Sequence, residues 1–260
     1  MGYAELLLSP ALQPLVACAW AISGPANEHR VLPDGCIDIL VVGGVGASVV
    51  GTMRRAIVAP AHEGTVVGIR FRPGEAARLL RAAPRELTDL DAPLDALWGD
   101  DGRRLEAALM KLLERADAAS HDAGEVLAQS RETIEAALRS RLAAYGEAVD
   151  VRVRAAAEHL ANGETVRDVA ERVALSERQL ARRFTDRVGV APKVFARVKR
   201  LQRAAALLAE GIAPAHASSL AGYADQAHFT RDAVDLGGIT PAGLAREVSD
   251  SFKTVVAIAS

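Results

Sequence analysis

The sequence predicts an α+β chain: a β-rich front with helices appended, then an all-helical second half. Three observations point there. Residues 31 to 72 hold short β-branched runs punctuated by Gly and Pro (IDILVV, SVVG, AIVAPA and TVVGIRF). After Pro73, apolar residues recur at i, i+3, i+4 and i+7. From Asp150 onward that helical period is cut only by short turns containing Gly, Pro or Ser.

The elements follow in order. Pro33–Gly35 (PDG) is a turn leading into the first strand run. Helices are expected at GEAARLLRAA, around Leu94–Trp98 and at RRLEAALMKLLERA. Small polar residues at Ala118–Gly124 make a loop, and Asp122 to Tyr145 makes another long helix ended by Gly146. The expected division is a β-rich sensing or dimerisation domain with appended helices over 1–117, a helical connector over 118–149, a helical domain over 150–246 and a tail over 247–260.

Composition narrows the function classes. The 260 residues are 50% hydrophobic and 25% charged, which suits a chain that buries a core and excludes disorder as its main state. Aromatics are 4%, so the core rests on Ala, Leu and Val. Two cysteines, Cys18 and Cys36, cannot build a disulfide framework, and no Cys/His cluster supplies a zinc site. No metal or other cofactor is expected. The N-terminus lacks a basic segment before an apolar run, and the apolar stretch Ile37–Gly51 is short of the ~20 residues that span a bilayer. No membrane partner is expected, and the cytoplasm is the expected compartment.

The net charge of -2 hides an asymmetry. Val151 to Arg246 carries 15 Lys/Arg against 10 Asp/Glu, leaving 16 and 23 for the rest. A basic rear on an acidic front points to a polyanionic partner for the rear.

Thr165 to Gly189 gives that partner a shape. Thr165 can cap a short helix through Val166, Val169, Ala170 and Val173. Ser176 can cap a second, with Leu180, Phe184 and Val188 on one stripe and Gly189 at its end. Two short helices, a tight turn and a small Ala170 at the crossing make a helix-turn-helix. Arg178, Gln179, Arg182, Arg183 and Arg187 fall on the outward side of the second helix. Arg suits guanine O6/N7 in a major groove, and Gln suits adenine.

The pattern recurs from Pro214. A short helix, a turn at Gly222–Ala224 and a helix capped by Asp225 follow, with Phe229 in the place of Leu180. Gln226, His228, Thr230 and Arg231 lie on or beside its outward face. Both units close on similar phrases, GVAP and GITP. Between them Lys193 to Gly211 reads as one helix of about 17 residues, roughly 25 Å long. That length can hold two reading heads about one DNA turn, roughly 34 Å, apart. Lys193, Arg197, Lys199, Arg200 and Arg203 make it basic and fit for phosphate.

Ala170 to Phe184 (A-x-x-V-x-L-S-x-R-x-L-x-R-x-F), GVAPKVFARVKRLQRA, GYADQAHFTR and GITP together resemble the DNA-binding domain of AraC/XylS-family bacterial transcription regulators, over roughly residues 150 to 246. The resemblance implies a two-headed reader of double-stranded DNA. Its recognition helices, about 177–188 and 225–235, would enter successive major grooves. By position, Arg178, Ala181 and Arg182 would reach bases from the first, and Gln226, Ala227, Thr230 and Arg231 from the second. RNA polymerase would be a further partner if the protein activates. The second unit departs from the family pattern. Ala233 replaces an aromatic residue, Asp232 and Asp235 would face phosphate unfavourably, and Gly237–Gly238 weakens the helix end. The first unit is therefore expected to supply most of the affinity.

VLPDGCIDILV, GIRFRPGEAARLL and ELTDLDAPLDALWG resemble an N-terminal domain, loosely cupin-like (a barrel or sandwich), found in a subset of these regulators. The resemblance implies sensing of a small-molecule effector or self-association. Cys36 can serve as a redox or electrophile sensor if Arg70 or Arg72 stabilises its thiolate, although a small buried hydrophobe is the plainer reading. Asp38 interrupts an apolar strand and either faces solvent or pairs with Arg70; Cys36, Asp38 and Arg70 are the candidate ligand residues. Trp20 and Trp98 read as core. The 122–145 helix either packs on its mate in a homodimer or bridges domains.

No catalytic motif is present: there is no G-x-S-x-G, no HExxH and no phosphate-binding Gly-rich loop. No catalytic residue is expected. Two rivals remain, a DNA-repair alkyl acceptor using Cys36 and a protein-interaction module.

Overall fold

The computed structural model describes residues 2–251, with no side chain described from 248 on. The expected tail beyond residue 251 lies outside the described residues. Strands β1 (Gly2–Leu6), β2 (Val16–Ser23), β3 (His29–Val31), β4 (Asp38–Val42), β5 (Gly46–Val50), β6 (Ile57–Ala59), β7 (Val66–Phe71) and β8 (Asp91–Pro93) make the front. Six form one antiparallel sheet in the order β1-β2-β7-β4-β5-β8, and β3 pairs with β6 in a second.

Four of these strands match the expected runs. β2, next to the middle of the sheet, does not: its sequence VACAWAIS is rich in Ala, which carries no strand signal. It is held by pairing on both sides, to β1 and β7. The expected helix at GEAARLLRAA is a correction. Only a 3-10 turn forms, at Ala76–Arg78. Leu79 is fully buried, and its carbonyl is taken by Arg141, so tertiary contacts replace helical ones.

Helices α1 (Leu94–Trp98), α2 (Asp100–Ala119) and α3 (Ala123–Tyr145) cover one face of the large sheet. Asp122 caps α3 and shares a capping box with Glu125. Ile39, Val41, Val67, Ile69 and Phe71 from the sheet meet Leu105, Leu109, Leu113, Val126, Ile134 and Leu138 in one core. The apolar stripe of α3 is therefore spent inside its own domain. Of the two expected roles, packing on a mate in a homodimer or bridging domains, neither accounts for these contacts: α3 lies against α2, β1 and β2. Trp98 belongs to the core, whereas Trp20 is half-buried beside Tyr3, with ring centroids 6.4 Å apart.

The second half is all helix: α4 (Val151–Ala161), α5 (Val166–Arg172), α6 (Glu177–Val188), α7 (Pro192–Ala209), α8 (Pro214–Leu220), α9 (Gln226–Gly237) and α10 (Pro241–Ser251). It has two apolar clusters. One joins α4, α5, α6 and the start of α7, with Phe184 and Phe195 edge to face at 5.2 Å. The other joins the rest of α7 to α8, α9 and α10, and it also takes in Leu32 from the front domain.

Candidate nucleic-acid interface

Each helical pair is built by local chemistry. Thr165 accepts a hydrogen bond from Asp168 N and starts α5. Ala174, at φ +52, turns the chain so that Ser176 can cap α6. Ser176 and Gln179 form a reciprocal capping box. Leu180, Phe184 and Val188 are buried, as their spacing requires, and Gly189 closes α6 at φ +100. In the second unit Asp225 caps α9 through His228 N, and Gly238 closes it at φ +70. The caps Ser176 and Asp225 are 49 residues apart, and the same offset relates the closing glycines, so the two units are structural repeats.

On α6, Arg178, Arg182 and Arg183 are exposed and Ala181 is half-buried. Arg178 and Arg182 have no ion-pair or side-chain hydrogen-bond partner among the described residues, while Arg183 lies 3.7 Å from Asp150. Gln179 differs from the expectation. Its side-chain carbonyl accepts from Ser176 N and Oγ, so it fastens the helix start. On α9, Gln226, Ala227 and Arg231 are exposed, and Thr230 Oγ1 donates back to Gln226 O.

The basic residues of α7 are the main correction. Only Lys193 stays exposed and unpaired among the described residues. Arg197 donates to Asp232 and Asp235 on α9, at 2.8 and 2.7 Å. Burial opposes its charge, but the two carboxylates outweigh that and hold the guanidinium above its ordinary range. Lys199 sits half-buried, its ammonium 5.5 Å from the Phe195 ring. Arg200 lies over Tyr223 and beside His228. Arg203 donates to Ala161 O and Ala221 O, the carbonyl ends of α4 and α8. A cation at two helix C-termini is favourable on both. The helix is a strut that clamps both units, with most of its charge spent inward.

The same contacts correct the reading of Asp232 and Asp235. Neither is turned toward a phosphate: Asp232 is buried on Arg197, and Asp235 is shared by Arg197 and Arg55. Gly237 is likewise no weak point, since it is buried with Leu32 and Leu201 close by.

In the front domain Arg70 forks onto Asp38 at 2.8 and 3.1 Å and reaches Asp34 at 3.2 Å. Burial opposes the Arg70 charge, and the two aspartates override it and hold it well above its ordinary range. The pair follows from register, because Asp38 and Arg70 are partners across β4 and β7. Burial pushes the Cys36 thiol up to about 12, with Asp34 adding to it. A thiol so held is protonated at neutral pH and is a poor nucleophile. No three His, Cys, Asp or Glu residues among those described are grouped to hold a metal. No described helix is long and apolar enough to cross a membrane.

Comparison with known proteins matches two separate stretches of the chain. Residues 5–93 match a domain of unknown function (DUF6597), and residues 169–247 match a helix-turn-helix domain family. An uncharacterized HTH-type transcriptional regulator of Bacillus subtilis (strain 168), YbfI, is 33% identical over 72 residues. That stretch is 28% of this chain and 26% of the regulator, so the match spans about a quarter of the regulator's length. A probable AraC family transcriptional regulator from Rhodopseudomonas palustris is 27% identical, over 37% of this chain and 96% of that one, at a TM-score of 0.34. ToxT from Vibrio cholerae aligns over 89% of this chain and 98% of its own, at 8% identity and a TM-score of 0.47. Residues 169–247 thus hold a helix-turn-helix domain, and part of the chain is similar to an HTH-type transcriptional regulator.

Proposed function

We infer that this chain is a sequence-specific DNA-binding transcription regulator that sets α6 and α9 into successive major grooves. One observation carries the reading. Two repeated helix-turn-helix units sit on one strut, and the N-terminal halves of both recognition helices face outward with Arg178, Arg182 and Arg231 unengaged by any described residue. Outward arginines on helices of groove-fitting width are suited to base edges. The helix-turn-helix family match and the likeness to YbfI support the same reading.

Arg178, Ala181 and Arg182 are the base-reading side chains of the first head, and Gln226, Ala227, Thr230 and Arg231 those of the second. Lys193 and Arg183 serve phosphates. The front domain modulates this activity, as a seat for a small effector or as a face for a second copy.

Selection of bound fragments from a random duplex pool tests this. Enrichment of one or two short motifs, with affinity falling steeply as salt rises, is expected. Failure to enrich any motif, or binding indifferent to salt, would return the helical half to the class of protein-interaction modules.

A further inference from the structure

The front domain grips the two helix-turn-helix units at equivalent places. Asp186 on α6 and Asp235 on α9 stand ten residues after their caps, Ser176 and Asp225. Each pairs with a front-domain arginine, Arg85 and Arg55 respectively. The last helical carbonyls, Val188 O and Gly237 O, are equivalent too. Thr52 Oγ1 donates to the first at 2.5 Å and Arg30 Nη1 to the second at 3.2 Å. Thr88 Oγ1 adds a bond to Gly189 O, and Ala56 N one to Leu236 O, at 2.7 and 2.6 Å.

Thr52 and Ala56 belong to one short loop after β5. Four residues of chain reach at most about 14 Å. The loop is not free to drift. Gly51 N donates to Leu90 O, and Asp89 N donates to Thr52 O. A Cβ on Gly51 would lie 1.7 Å from Leu87 O, so the two segments are in direct contact. Thr52 itself is fully buried.

From this repeated grip we propose that the front domain is a bracket that sets the distance between the two recognition helices, and through it the spacing of the half-sites the protein prefers. Thr52 and Arg85 hold α6; Arg30, Arg55 and Ala56 hold α9. These are specificity-determining residues that touch no base. The inference rests on the DNA-reading function above. All the grips lie at the C-terminal ends of the recognition helices, away from Arg178, Arg182, Gln226 and Ala227. Bracket and DNA therefore do not compete. One base-pair step is about 3.4 Å, more than a hydrogen bond can stretch and survive. A reader braced on both heads discriminates between spacings, and an unbraced one adapts at an entropic cost.

The test uses the full-length chain and a duplex that it selects from a random pool. Companion duplexes carry one base pair inserted or deleted between the half-sites, or one half-site alone. The variants are T52V/R30A, which removes the donors to Val188 O and Gly237 O and with them the Arg30–Glu247 pair, and R55A/R85A, which removes the exposed Arg55–Asp235 and Arg85–Asp186 pairs and the Arg85–Glu86 pair and leaves the core untouched. R103A, on the far helix α2, is the control. Wild type and R103A should bind the selected duplex about tenfold tighter than either spacing variant. In the bracket variants that preference should shrink to about threefold or less, with single-half-site affinity unchanged. The bracket is overturned if R55A/R85A, melting like wild type, keeps the full spacing preference. It is overturned equally if single-half-site binding falls in step. If wild type selects no duplex at all, the DNA reading itself fails, which is a separate result.

Discussion

Arg197 Nη2 lies 2.8 Å from Asp232 Oδ1, across the contact of α7 with α9, and that carboxylate is 4% exposed. Removing the arginine leaves a buried charge without its partner. Arg197→Ala should lower stability by about 2–4 kcal/mol in urea unfolding. Replacing both residues with apolar ones of similar volume should restore most of the loss. An equal loss in the double variant would show that shape, not charge, holds the pair. Asp235 is held below its ordinary range, first by its hydrogen bond from Arg197. Its contribution is therefore present above the ordinary carboxylate pKa and fades as pH falls through the lowered one. Acid melts should show Asp235→Asn losing less than wild type below about pH 4.

Arg182 and Lys193 are exposed, and Lys199 is not free. Arg182→Ala should cost about 1–3 kcal/mol of DNA affinity and relax preference at one base pair. Lys193→Ala should weaken all sequences alike and reduce the salt slope by about 1. Lys199→Ala should leave that slope unchanged. A salt slope that shifts with Lys199 and ignores Lys193 would put the wrong residue on the phosphate.

Burial raises the Cys36 thiol from an ordinary 9.0 to about 12. Iodoacetamide at pH 8 should label it slowly in the folded chain and fully in urea. Because the folded state keeps its proton longer, this group's contribution to stability falls as pH rises from about 9 to 12. Cys36→Ser should lose less stability over that interval. Rapid labelling at pH 7 would revive the sensor reading.

Gly35 adopts φ +80, and a Cβ there would meet the Phe195 ring at 2.5 Å. Gly35→Ala should destabilise the docking of the front domain on α7 by about 1–3 kcal/mol, combining backbone strain and overpacking. Limited proteolysis should then cut the connector near Gly146 faster than in wild type. An unchanged cutting rate would mean that the domains do not depend on this contact.

Much of the fold was legible in order along the chain. β4, β5, β6 and β7 read from β-branched runs, and α2, α3, α5, α6, α7 and α9 from apolar period or caps. Those signals are local: a cap bonds three residues on, and a stripe repeats every turn. β2 was missed because Ala has no strand preference and pairing alone recruits it. The helix expected after Pro73 failed for the converse reason, since a good helical period lost to contacts with Arg141 and Arg154, 60 to 80 residues away.

Local signals along the chain specify the two helix-turn-helix units: their caps, their buried stripes, their closing glycines and the outward Arg178 and Arg182 on α6. Which other charges are already spoken for is set by packing between distant segments. An arginine looks the same in sequence whether it faces water or a carboxylate 35 residues further along, as Arg197 does. Long side chains choose partners by proximity in space, and no period in the chain encodes it. That is why a basic helix that reads as a phosphate rail folds as an internal strut, and why the front domain's hold on both heads appears only once the chain is folded.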